Sequence, residues 1–212
     1  MPWLVRLFVL VGMLATCALS GGQAQHASQD GQALSEAEIA FLPAHQLAER
    51  IADGRLTSTK LVDIYLARIA RFNPDLNAIV TLDAEGARAR AMEADAAIQN
   101  GVLWGPLHGV PITIKDNYAV ANMRATAGYA PYAEMVPQED AEIVRRLREA
   151  GAIILGKTNM PALGLDNQTY NSIFGLTRNP WDPERTAGGS SGGDAVAVAV
   201  GFTALSPVVH RV

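Results

Sequence analysis

Apolar residues recur at three- and four-residue intervals over the first half of the chain and in short unbroken runs further on. That switch predicts helices giving way to buried strands. Leu61, Ile64, Tyr65, Ile69 and Phe72 fall on one face of a helix capped by Thr57 or Ser58 and ended by Asn73-Pro74. Ahead of it, Ser35 and Glu38 have the spacing of a capping box, and Ala44–Asp53 reads as a short helix closed by Gly54. Asn77–Leu82 predicts a short strand, and Ala84–Gln99 an Ala-rich helix closed by Gly101. Val110–Ile114 is a buried strand running into Lys115-Asp116-Asn117, Glu139–Ala150 a charged amphipathic helix, and Ala152–Leu155 a second buried strand. The alternation implies an α/β layer architecture with reactive groups at strand ends and in the loops after them. No internal repeat is visible.

Composition narrows the function classes. Apolar residues make up 49% and charged residues 18%, which excludes a disordered chain. The net charge is −4 with no basic run, so nucleic acid is not expected as a partner. Cys17 is the single cysteine, which excludes a disulfide framework and a cysteine-based metal site. His26, His45, His108 and His210 lack ligand spacing, and no metal is expected. Residues 1–24 read as an export signal: Arg6, an apolar stretch Leu7–Leu19, then Gly22-Gln23-Ala24 as a small-x-small cleavage site. The apolar stretch is shorter than the roughly 20 residues of a spanning helix, so no stable membrane span is expected after cleavage. A lipid anchor at Cys17 is the weaker alternative, because Thr16 is larger than the residues that usually precede an acylated cysteine. The expected product is periplasmic or extracellular. Residues 25–34 read as a flexible leader, 35–205 as the domain and 206–212 as a tail.

Two places depart from an ordinary α/β sequence. Lys115 stands directly after an apolar strand; on spacing alone, a solvated edge lysine is the plainer reading. Gly188-Gly189-Ser190-Ser191-Gly192-Gly193 then leads into Asp194 and the small apolar run Ala195–Val200. Four glycines free the backbone so that amides and hydroxyls can converge on one point at the start of a helix. A flexible linker is the bland alternative, disfavoured by its position between the Trp181-Asp182-Pro183 turn and an apolar helix. A phosphate loop is poorly supported, since no lysine follows the glycines and Asp194 puts negative charge there. A Ser-His-Asp hydrolase lacks its nucleophile-elbow motif.

Taken in order, Gly109–Asn117, Gly156-Lys157-Thr158-Asn159-Met160-Pro161, Asn179-Pro180-Trp181-Asp182 and Gly188–Gly193 resemble the amidase signature family from about Ser35 to Leu205. The resemblance implies a layered α/β/α amidase-signature fold with a mixed central sheet. It also implies hydrolysis of carboxamide C–N bonds by a Ser–cis-Ser–Lys triad that needs no cofactor. Matched motif by motif, Lys115 resembles the catalytic lysine and Ser190 the bridging serine in a cis peptide, with Ser191 and Gly189 as substrate-binding neighbours. A buried lysine can act without histidine because desolvation favours its neutral form. Asp116, Asn117 and Arg185 either orient the site or make ordinary loop hydrogen bonds, and Gly128, Tyr129 and Tyr132 either line a pocket or pack in the core.

The family's nucleophilic serine lies in a Gly-Thr-Asp-x-Gly-Gly-Ser segment that, counted from Ser190, falls just beyond Val212. Ser206-Pro207-Val208-Val209-His210-Arg211-Val212 does not match that segment, and Ser206 is a poor replacement nucleophile. The expectation is therefore a frameshifted or truncated amidase, its C-terminal half missing and inactive in this form. The alternative is a non-catalytic binding or assembly remnant of an exported amidase. The partner implied is a small-molecule or peptide amide; a homo-oligomer stays open. An export signal disfavours a tRNA-linked role.

Overall fold

The computed structural model describes residues 34–208; the expected export signal, Cys17, His26, His210 and most of the expected leader lie outside them. The chain opens with three helices, α1 (Glu36–Ala40), α2 (Ala44–Ala52) and α3 (Ser58–Leu76). Ser35 and Glu38 close the expected capping box, each side chain meeting the other's backbone N–H. Thr57 is the cap of α3, its hydroxyl accepting from Lys60 N. Leu61, Ile64, Tyr65 and Ile69 are all buried along one face, as their spacing predicts.

The helix does not end at Asn73-Pro74. It runs through Pro74 to Leu76 and stops at Asn77 in the left-handed region (φ 52°). Asn73 instead ties down the chain beyond: its Oδ1 accepts from Ala78 N (2.9 Å) and Ile79 N (2.8 Å), and its Nδ2 donates to Ile79 O (2.9 Å). That clamp turns the chain straight into β1 (Ile79–Leu82), which leads to α4 (Ala84–Gln99), capped by Asp83.

Next come β2 (Pro111–Lys115), α5 (Glu142–Glu149) and β3 (Ile153–Thr158). The sheet has the order β1-β3-β2, with β1 antiparallel and β2 parallel to β3, the mixed arrangement expected. Helix α5 starts three residues later than its charge pattern suggests. Asp140 is taken up elsewhere: its carboxylate accepts from Ala121 N (2.8 Å) and Arg148 Nε (2.9 Å), which fixes the loop ahead of the helix. A small hairpin of β4 (Tyr170–Asn171) and β5 (Gly175–Leu176) precedes α6 (Gly192–Ala199).

Helices α3, α4 and α6 pack on the sheet, and Ile112, Ile114, Ile153, Leu155, Val196 and Phe202 join one core. After α6 the chain returns beside β2: Thr113 N donates to Leu205 O (3.3 Å). Every residue of β2 and β3 is buried, Lys115 and Lys157 included, so the solvated-edge reading of Lys115 is wrong. Among the described residues no helix is long and apolar enough to cross a membrane.

Candidate active site

Strands β2 and β3 are parallel and end together, with Lys115 opposite Thr158. The glycine-serine loop lies over this edge and runs into α6. Its shape is set by close backbone approaches. A Cβ on Gly189 would sit 2.6 Å from Asp166 O, and one on Gly193 would sit 2.4 Å from Asn159 O, so neither position has room for a side chain. Gly188 has φ +83°, in the region glycine adopts without steric cost. The Gly189–Ser190 peptide is cis.

Thr169 staples both ends of the loop. Its hydroxyl donates to Gly188 O (2.8 Å) and accepts from Gly192 N (3.0 Å). Below it, Asn159 fixes the hairpin: its Nδ2 donates to Thr177 Oγ1 (3.0 Å), and its Oδ1 accepts from Asn171 Nδ2 (2.7 Å). Thr169 does not stand out in the sequence, and Asn159 does so only as part of the Gly156–Pro161 motif, because a threonine or asparagine looks the same whether it caps a turn or holds a loop.

Lys115 Nζ lies 2.7 Å from Ser190 Oγ and 2.8 Å from Ser191 Oγ. As an ammonium it donates to both. As a neutral amine it keeps two N–H donors and one lone pair, so one of the two hydroxyls can donate to it instead. Burial pushes the lysine below its ordinary value, while Asp194 pulls it back up. Among the described residues no carboxylate is in hydrogen-bond contact with Lys115.

Asp194, in the first turn of α6, is itself buried. Its Oδ1 accepts from Thr158 Oγ1 (2.6 Å) and Ser206 Oγ (2.5 Å), and its Oδ2 has no partner among the described residues. Burial raises its pKa against these bonds and the Lys115 charge. The Ser206 hydroxyl is thereby bound to Asp194, and to Thr113 O at 3.2 Å, rather than to Lys115 or Ser190.

Lys157 is a second, fully buried lysine that the sequence reading passes over, although it too follows an apolar strand run. Its Nζ donates to Tyr118 O (2.8 Å) and pairs with Asp116 Oδ1 (3.4 Å). The other oxygen of Asp116 accepts from Thr126 N (3.0 Å) and the Thr126 hydroxyl. Asp116 is thus a buried brace for the loop after β2. Burial also lowers Lys157, with Asp116 opposing.

A cavity of about 280 Å³ opens at Lys115, Asn117 and Ser190. Ala127, Met160, Leu163 and Leu165 form its apolar wall. A larger hollow of about 380 Å³ lies elsewhere, between Phe41, Arg68, Phe72 and Trp181, and holds no nucleophile. Volume alone therefore does not locate the chemistry.

The structure brings together Lys115, Ser190 and Ser191, with Asn117 on the same cavity. It does not bring in Arg185, which is exposed and pairs with Asp182 in its own loop (3.1 Å). Tyr129 and Tyr132 stack edge to face on each other (5.3 Å) and do not line the cavity. Gly128 is needed because a Cβ there would meet Met160 O at 2.6 Å, in a left-handed turn (φ +62°). His108 is a core histidine between Trp104 N (3.0 Å) and Ala94 O (3.1 Å).

Comparison with known proteins agrees with this geometry. The sequence model of the Amidase family matches residues 60–207. A glutamyl-tRNA(Gln) amidotransferase chain of Roseiflexus sp. is 45% identical over 162 residues, 74% of this chain and 33% of its own length. A putative amidase AmiB2 of Mycobacterium bovis is 46% identical over 171 residues, 81% of this chain and 36% of its own. A crystal structure of an amidase superposes with a TM-score of 0.72 at 42% identity, over 78% of this chain and 38% of that one. The chain spans about a third of the length of the curated relatives it matches. It belongs to the amidase family.

Proposed function

We propose that this chain carries the proton-relay part of an amide hydrolase, which cleaves carboxamide C–N bonds through a Ser–cis-Ser–Lys triad. The observation that carries the reading is the 2.7 Å contact between the buried Lys115 Nζ and the half-buried Ser190 Oγ, with no carboxylate among the described residues bound to the lysine. In the neutral state the lysine lone pair takes the Ser190 proton, and Ser190 Oγ in turn takes the proton of an attacking serine hydroxyl. The serine oxygen adds to the amide carbon. The proton then returns along the same path to the leaving nitrogen as the C–N bond breaks, and water releases the acyl group. Ser191 holds Lys115 in line by occupying a second N–H.

Among the described residues no serine hydroxyl is placed to attack from Ser190. Ser190 Oγ has Lys115 as its only hydrogen-bond partner among the described residues, and Ser206 is committed to Asp194. The 212 residues by themselves are therefore expected to turn over no amide.

Ammonia release from small aliphatic and aromatic amides tests this. The chain alone should be silent. A fusion to the remaining two-thirds of a relative, which brings the Gly-Thr-Asp-x-Gly-Gly-Ser segment, should hydrolyse them. Lys115→Ala or Ser190→Ala should each cut the fusion's rate by about a thousandfold or more. Turnover by the 212 residues alone, or a fusion indifferent to Lys115→Ala, would overturn the reading.

A further inference from the structure

We infer that Asp194 is a positioning residue for Lys115, docking the loop that presents Ser190 and supplying the counter-charge for the lysine's ammonium form. The inference rests on the amide-hydrolase reading and extends it to a residue that touches no reacting atom.

Asp194 stands in the first turn of α6, directly after the serine loop. Its Oδ1 accepts from the hydroxyl of Thr158 (2.6 Å), the residue paired with Lys115 across β2 and β3. The same oxygen accepts from Ser206 Oγ (2.5 Å), which also lies 3.2 Å from Thr113 O on the strand of Lys115. One carboxylate oxygen thus holds the start of α6 to β3 directly and to β2 through Ser206. Ser190 and Ser191 enter α6 at that fixed point, so their 2.7 and 2.8 Å contacts with Lys115 Nζ depend on where Asp194 sits. Asp194 is 2% exposed, so these neighbours already enclose it.

Its charge acts on three groups: Lys115 on β2, Lys157 on β3 and Tyr118 in the loop after β2. Asp116, the other buried acid at this edge, is taken up by Lys157 (3.4 Å) and by Thr126 N (3.0 Å). Lys157 therefore has a carboxylate of its own, whereas the charge opposing loss of the Lys115 proton is that of Asp194. Burial pushes Asp194 up, and the Ser206 and Thr158 hydroxyl bonds and the Lys115 charge hold it back toward ionisation. A base that must take a proton and then return it needs its two states close in energy. Burial favours the neutral lysine; the nearby carboxylate favours the ammonium. When the Ser190 proton moves to Nζ, the lysine goes from neutral to +1 and Asp194 stays ionised.

The test follows the Lys115 13Cε resonance of the full chain through a pH titration, the signal being identified by its loss in Lys115→Met. Asp194→Asn keeps the side-chain shape and an oxygen for Thr158 and Ser206 while removing the charge. It should lower the proton affinity of Lys115 by about tenfold, and that of Lys157 by less. Asp194→Ser, small enough to leave room for a water, should do the same if the amide is not tolerated. In the fusion to the rest of a relative, either variant should carry the acidic limb of kcat/KM to lower pH. The plateau should fall by about tenfold, because a weaker base takes the proton less readily. A Lys115 titration that does not move, or a slower fusion whose limb stays in place, would make Asp194 a structural residue only. Either result overturns the inference and leaves the hydrolase reading standing. A fusion indifferent to Lys115→Ala overturns that reading, and the inference with it.

Discussion

Lys115 and Lys157 stand at the ends of neighbouring parallel strands, both withdrawn from water and both lowered by that burial. Their partners differ. Lys157 faces a carboxylate and a backbone carbonyl, all inside the protein; Lys115 faces two hydroxyls at the edge of a cavity. A buried lysine that meets a carboxylate has a partner opposing the loss of its proton and braces the loop carrying that carboxylate. A buried lysine that meets hydroxyls can, once neutral, offer its lone pair to one of them. Burial is common to both; the type of partner separates the brace from the base.

The largest expected effect comes from breaking the brace. Lys157→Met leaves the Asp116 carboxylate buried and unpaired, which should cost about 3–5 kcal/mol in a denaturant melt. Lys115→Met strands no charge in contact with it and should cost under about 1 kcal/mol, the scale of a neutral hydrogen bond. Equal losses at the two positions would erase the distinction.

Next in size is the support under the hydroxyls. Gly193→Ala drives a methyl into the backbone of Asn159 and should cost about 1–3 kcal/mol, the scale of overpacking. Gly188→Ala meets nothing within 4 Å and pays only for its left-handed φ, on the order of 1 kcal/mol. Melting both variants ranks steric fit against backbone freedom in the loop that presents Ser190.

The smallest effect sharpens the comparison through pH. A lysine lowered in the folded state is protonated in the unfolded chain up to its ordinary value of 10.5, so the unfolded state binds more protons between the two values. Stability should therefore rise with pH from the lowered folded value of each lysine towards 10.5, the reverse of a lysine whose folded value is raised. Midpoints of denaturant melts should climb as pH rises towards that ordinary lysine value, and Lys115→Met should flatten the part of the rise owed to Lys115. A flat profile in the unaltered chain would show that neither lysine is lowered.

The long elements and the key loop were legible in the sequence alone. The 3.6-residue spacing of Leu61, Ile64, Tyr65 and Ile69, the caps at Ser35 and Thr57, and the apolar run before Lys115 are local signals, each generated within a few residues. The glycines around Ser190 and Ser191 marked where amides and hydroxyls can converge at a helix start, and the order of motifs marked the family. What the sequence left undecided was every question of partner. Pro74 looked like a helix end until Asn73 was seen holding Ala78 and Ile79 beyond it. Lys115, on spacing alone, looked more like a solvated edge residue, and Lys157, Thr169 and Leu163 carried no local sign of their roles. Those roles depend on atoms up to 76 positions apart in the chain, as from Lys115 to Ser191, brought together only when β2 lies beside β3 under the loop. Periodicity and turn chemistry are read along the backbone; charge state, bracing and cavity shape are set by what lies across from a side chain, which tertiary packing alone decides.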